Sequence, residues 1–113
     1  MLRLAPGTRV FVSTAPTDMR KSFDGLYALT KSVLEQDPLS GHLFVFVNRK
    51  RDYAKILYFE RGGLCLWAKR LEQGRFACLA SERGVVALSD TQLLMWLDGI
   101  ALEQRKQLKR FAA

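Results

Sequence analysis

The stretch from His42 to Arg75 reads HLFVFVNRKRDYAKILYFERGGLCLWAKRLEQGR. It resolves into runs rich in β-branched and aromatic residues, His42 to Val47, Ala54 to Glu60 and Leu64 to Arg70, each bounded by turn residues. A fourth run, Arg75 to Leu79, follows. The connectors Asn48 to Tyr53, Arg61-Gly62-Gly63 and Leu71 to Gly74 suit hairpins and are too short for the crossovers that parallel neighbours require. An antiparallel meander is therefore predicted. Within it LFVFV is apolar at every position, so that strand is expected to be central or covered on both faces.

Upstream, Thr8 to Thr14 alternates as a strand should, with Val10 and Val12 on one face and Phe11 on the other, until Ala15-Pro16-Thr17-Asp18 breaks it. From Ser22, a plausible N-cap, Phe23, Leu26, Tyr27, Thr30, Val33 and Leu34 recur at helical spacing, with Asp24 favourable in the first turn. This helix must end before Pro38, and Ser40-Gly41 completes the turn. Downstream, Val85 to Leu88 is short enough for an edge strand. Ser89-Asp90-Thr91-Gln92 has the form of a capping box, opening a helix through Leu93, Leu94, Trp96, Leu97 and Ile100 that pauses at Asp98-Gly99. The expected class is α+β: an antiparallel β-meander sheet packed with one helix from the N-terminal half and one C-terminal helix.

At 113 residues and 49% hydrophobic, the chain can bury one substantial core but hardly two, so residues 1–113 are expected to form a single compact domain, with 101–113 as a basic tail. No uninterrupted apolar run is longer than Leu43 to Val47, far short of the about 20 residues needed to span a bilayer. The first residues also lack a signal-peptide core, so a cytoplasmic location and no membrane partner are expected. Cys65 and Cys78 both sit in apolar runs and read as buried, reduced thiols.

The net charge of +7 sets up a positive field that attracts polyanions. It is concentrated: from His42 to Arg75 eight Lys or Arg stand against three Asp or Glu. The densest cluster, Asn48-Arg49-Lys50-Arg51-Asp52-Tyr53-Ala54-Lys55, falls at a hairpin tip, where several cations can project together toward a phosphate backbone. A turn made basic merely for solubility has the same composition. Tyr53, Tyr58, Phe59, Trp67 and Phe76 interleave with these cations; on an open sheet they would stack unpaired bases, and in a core they would simply pack. Arg105, Lys106, Lys109 and Arg110 would form a second basic stripe if helical.

No catalytic residues, metal or cofactor are expected. The carboxylates Asp18, Asp24, Asp52 and Glu60 are scattered rather than patterned for two-metal chemistry. His42 is the sole histidine, and with Cys65 and Cys78 it gives too few ligands for a closed zinc site. Gly62-Gly63 lacks the Lys-Ser or Lys-Thr and helix that a phosphate-binding loop requires.

Four ordered blocks carry a family resemblance: TDMRKSFDGL (Thr17 to Leu26), DPLSGHLFVF (Asp37 to Phe46), KILYFE (Lys55 to Glu60) and GLCLWAKRLE (Gly63 to Glu72). Together they closely resemble the small second-reading-frame protein, the TnpB type, of the IS66 family of bacterial insertion sequences. The resemblance implies a non-catalytic accessory to transposition, working beside a separate, larger transposase that carries the acidic catalytic residues, and beside another accessory protein. It is distinct from the longer RNA-guided nuclease that shares the TnpB name. Two positions depart from the pattern: Phe59 stands where the family often has tryptophan, and Asn48-Arg49-Lys50-Arg51 where it often has glycine-arginine repeats.

The leading expectation is a basic face of the meander, led by Arg49, Lys50, Arg51 and Lys55 with Lys69 and Arg70, that holds element ends or transposase-bound DNA through backbone contacts. Arg20 and Lys21, before the first helix, form a second candidate contact. The alternative is a protein adaptor that docks the transposase through the same surface without touching DNA. A metal-dependent nuclease built on Asp18 and Asp24 is the third reading.

Overall fold

The computed structural model describes residues 4–100. Its elements are β1 (Val10–Ser13), α1 (Phe23–Ser32), β2 (Leu43–Val47), β3 (Tyr53–Glu60), β4 (Gly63–Arg70), β5 (Val85–Leu88) and α2 (Asp90–Asp98). The strands form one sheet in the order β4-β3-β2-β1-β5, with a helix on each face. The fold is α+β, as expected, and β2 to β4 are the antiparallel meander. The expected tail at 101–113, with Arg105, Lys106, Lys109 and Arg110, lies outside the described residues.

β2 is central and buried at every position. Its alternation feeds two cores. Leu43, Val45 and Val47 join Val10, Val12 and Ile56 beneath α2, which contributes Leu93, Trp96 and Leu97. Phe44 and Phe46 join Phe11 and Leu57 beneath α1, which contributes Leu26. Each such side chain stabilises the fold by about 1.5–3 kcal/mol relative to exposure, which is why a strand with no polar face must lie at the middle of the sheet.

One pairing departs from a pure meander: β1 runs parallel to β2, with Phe11 opposite Phe44. The excursion through α1 supplies the long connection that parallel neighbours need. β5 then pairs antiparallel with β1 as the short edge strand. The helix α1 stops at Ser32, earlier than the apolar spacing through Leu34 implies. Glu35 adopts a left-handed conformation (φ 54°), and its neighbour Gln36 donates its amide to the Thr30 carbonyl, so the chain turns off while Leu34 stays buried. Ser22 occupies the N-cap but makes no side-chain cap bond.

The run Arg75 to Leu79 is not a fourth meander strand. Its amides serve other partners: Phe76 donates to the Arg51 carbonyl, and Arg75 pairs with Ile100 in an isolated bridge. The ladder is abandoned so that Phe76 can stack on Trp96 beneath the sheet, their ring centroids 4.6 Å apart. The capping box is present in full, the Ser89 hydroxyl accepting from the Gln92 amide and the Gln92 side chain from the Ser89 amide. The cysteines are a correction. Cys78 is exposed and Cys65 half-buried, because the segment after β4 is loop and β4 is an edge strand.

Candidate nucleic-acid interface

The basic tip is a turn closed by hydrogen bonds around Asn48. Asn48 Oδ1 accepts from the amides of Asp52 (3.0 Å) and Tyr53 (3.1 Å), and its Nδ2 donates to Asp52 Oδ1 at 2.6 Å. Arg51 closes the turn in a left-handed conformation (φ 59°), donating its amide to the Asn48 carbonyl. The single carboxylate of the turn is thereby engaged by an amide rather than by a cation. Arg49 and Lys50 project into solvent, and Arg51 is half-buried. The organising role of Asn48 was legible only as turn chemistry, an asparagine bonding to amides a few residues on.

The segment before α1 lies at the same end of the sheet. Thr17 donates its amide to the carbonyl of Val47, the last residue of β2. Lys55 Nζ donates to the Lys21 carbonyl at 2.8 Å, tying the segment to β3. In the β3–β4 ladder Tyr53 faces Arg70 and Lys55 faces Ala68. By strand alternation Tyr53, Lys55 and Arg70 share the α1 side of the sheet with Leu57. Lys55 Nζ also sits 5.9 Å from the Tyr53 ring centroid. Lys21, Lys55 and Arg70, with Arg20 next in sequence, therefore lie on the α1 side at the same end of the sheet as the turn that carries Arg49, Lys50 and Arg51, although far apart in sequence.

Lys69 is the exception. It alternates to the α2 side, opposite Ala54, and donates its ammonium to the Leu97 carbonyl at 2.8 Å. There it serves the C-terminal turn of α2, where carbonyls lack partners and positive charge is favourable. The expected single basic face of the meander is thus divided, with Lys55 and Arg70 on one side and Lys69 on the other.

Arg20 grips Asp18 through a bidentate contact, Nη2 to Oδ2 at 2.7 Å and Nε to Oδ1 at 3.1 Å, while its amide donates to Oδ1. These bonds, the side-chain ones first, hold the Asp18 carboxyl down at a pKa of about 2. The Arg20 side chain is 92% exposed. It is the one ion pair among the described residues.

The interleaved aromatics separate by position. Phe76 is core, and Trp67 and Tyr58 pack against the α2-side cluster. Burial and the facing Cys65 raise the Tyr58 pKa. Phe59, at the position where the family often has tryptophan, lies at the far end of β3 from the tip. Tyr53 alone stands among the cations. Among the described residues no three His, Cys, Asp or Glu come close enough together to hold a metal ion, and no helix is long and apolar enough to cross a membrane.

No solved structure matches the chain. It is 40% identical over 100 residues to the uncharacterized protein y4hO of Sinorhizobium fredii, covering 88% of this chain and 87% of that one. It is 32% identical over 112 residues to the uncharacterized protein y4jC of the same organism, covering 97% and 96%. The family described as IS66 Orf2 like protein matches residues 8–107, and the chain therefore belongs to this family of accessory proteins associated with transposition of IS66-type elements.

Proposed function

We propose that the chain assists transposition by holding DNA at the tip end of its sheet, through backbone contacts from Arg49, Lys50, Arg51, Lys55, Arg70, Lys21 and Arg20. The observation that carries this reading is the gathering of those cations from four separate segments, with no acidic partner among the described residues save Asp18 for Arg20. A turn made basic only for solubility would not need the Asn48 scaffold or the Lys55 tie to hold its neighbours in place. Lys69, the remaining residue of the expected set, contributes mainly to α2 and little to DNA. Such contacts give binding that is strongly salt dependent and weakly sequence specific.

A second reading, an adaptor that docks the transposase, is favoured by Leu94 and Met95 of α2, which are 53% and 69% exposed. Amide chemical-shift mapping separates the two. Titration with duplex element ends is expected to move residues 18–21, 48–55 and 69–71 and leave 90–98 unmoved. Shifts confined to α2 on adding transposase, with none on adding duplex, would establish the adaptor instead.

A further inference from the structure

A cavity of about 270 Å³ opens on the α2 side of the tip. It lies at the carboxyl ends of β1 and β2, on the face of the sheet that the segment Ala77 to Leu79 and Trp96 of α2 wall in. Its walls are mainly apolar, with Val12, Val47, Leu79 and Trp96 among them, and Arg49 and Arg51 stand in its lining. Trp96 is fixed there by stacking on Phe76 and by donating its indole N–H to the Ala77 carbonyl at 2.9 Å. Ser13 and Thr14 add hydroxyls.

Size and charge narrow the occupant. The volume lies below the about 300 Å³ at which pockets for drug-sized ligands begin, so it suits one ring system rather than a whole nucleotide cofactor. Two guanidiniums beside an apolar aromatic wall match a flat heterocycle attached to a phosphate. We infer that this cavity takes one unpaired nucleobase of a DNA strand whose phosphates lie on Arg49 and Arg51. This rests on the reading of the tip as a DNA contact and adds to it a preference for locally unpaired DNA, since a base must leave its stack to enter.

Cys78 provides the test, because it lines the cavity, is exposed, and lies outside the strands and helices. A short single strand is compared with an abasic strand of equal length, which keeps the phosphates and lacks the bases, by fluorescence anisotropy on the full chain and on Cys78→Trp. In parallel, the rate of Cys78 alkylation by N-ethylmaleimide is followed on a Cys65→Ser background, an arm that stands even if Cys78→Trp fails to fold. The base-bearing strand is expected to bind about tenfold tighter, to lose that advantage in Cys78→Trp, and to slow alkylation where the abasic strand does not. Equal affinity for the two strands, or a preference that survives in Cys78→Trp with alkylation unslowed, overturns the base pocket and leaves the backbone contact standing. Failure of both strands and of duplex to bind overturns both.

Discussion

Lys55 Nζ, on the third strand of the sheet, donates to the carbonyl of Lys21, 34 residues earlier, at 2.8 Å. One hydrogen bond thus joins the two segments that the sequence marks as basic but does not connect. Lys55→Met keeps the aliphatic stem and removes the bond and the charge. The net cost to stability is expected to be about 1 kcal/mol, read from chemical denaturation. The loss of duplex affinity is expected to exceed that of Lys50→Ala, because the Arg20-Lys21 segment is released as well.

Lys69 offers the opposite case. Lys69→Met removes the cation that serves the Leu97 carbonyl, so it is expected to lower stability by about 1 kcal/mol. The logarithmic salt slope of duplex binding should not change. A slope that falls by about one unit would put Lys69 on the DNA despite its position on the other side of the sheet.

The tip is held by asparagine chemistry. Asn48→Ala removes two acceptor bonds to backbone amides and the bond to Asp52, and is expected to destabilise by about 1–3 kcal/mol. Arg51→Gly relieves a left-handed backbone angle, so it should leave stability within about 1 kcal/mol of the parent while weakening DNA binding. Equilibrium unfolding of the two variants separates scaffold from contact.

Asp18 gives a pH signature. Its carboxyl titrates at about 2 when folded, below the about 3.9 of an unfolded chain. The Arg20 contact therefore contributes fully above the unfolded value and is lost as pH falls through that window toward 2. Carboxyl carbon shifts followed by NMR are expected to show this depressed midpoint, and Arg20→Ala should return it toward the ordinary aspartate range.

Gly99 ends α2 at φ 75°, and a Cβ there would lie 2.8 Å from Leu71 Cδ1. Gly99→Ala is expected to cost about 1–3 kcal/mol through strain and overpacking, measured by thermal unfolding.

Legibility followed locality. Strands and caps set by alternation or by neighbouring residues were readable: the buried LFVFV strand, the Ser89–Gln92 capping box, and the Arg61-Gly62 hairpin, whose two residues both take positive φ. The parallel β1–β2 pairing was not, since nothing in Thr8 to Thr14 encodes the direction of its neighbour. Arg75 to Leu79 has strand composition, but the competition that removed it, Phe76 seeking Trp96, is tertiary. For the site, the residue types of the tip were readable, whereas the side on which Lys69 lies depends on strand register, which a slip of one position would reverse. The base-sized cavity is formed by segments distant in sequence and left no local mark.

Whether the tip end of the sheet holds DNA by its backbone is decided by a salt series. Anisotropy of labelled duplex carrying the element ends, with scrambled duplex as control, is measured beside the variant in which Arg49, Lys50 and Arg51 are all alanine. The parent is expected to give a log-log salt slope of about −4, as four to five neutralised phosphates produce, with little preference between the duplexes, and the variant a slope shallower by two or more units. No binding at low salt, or binding whose salt slope the triple substitution leaves unchanged, would show that the tip does not hold DNA.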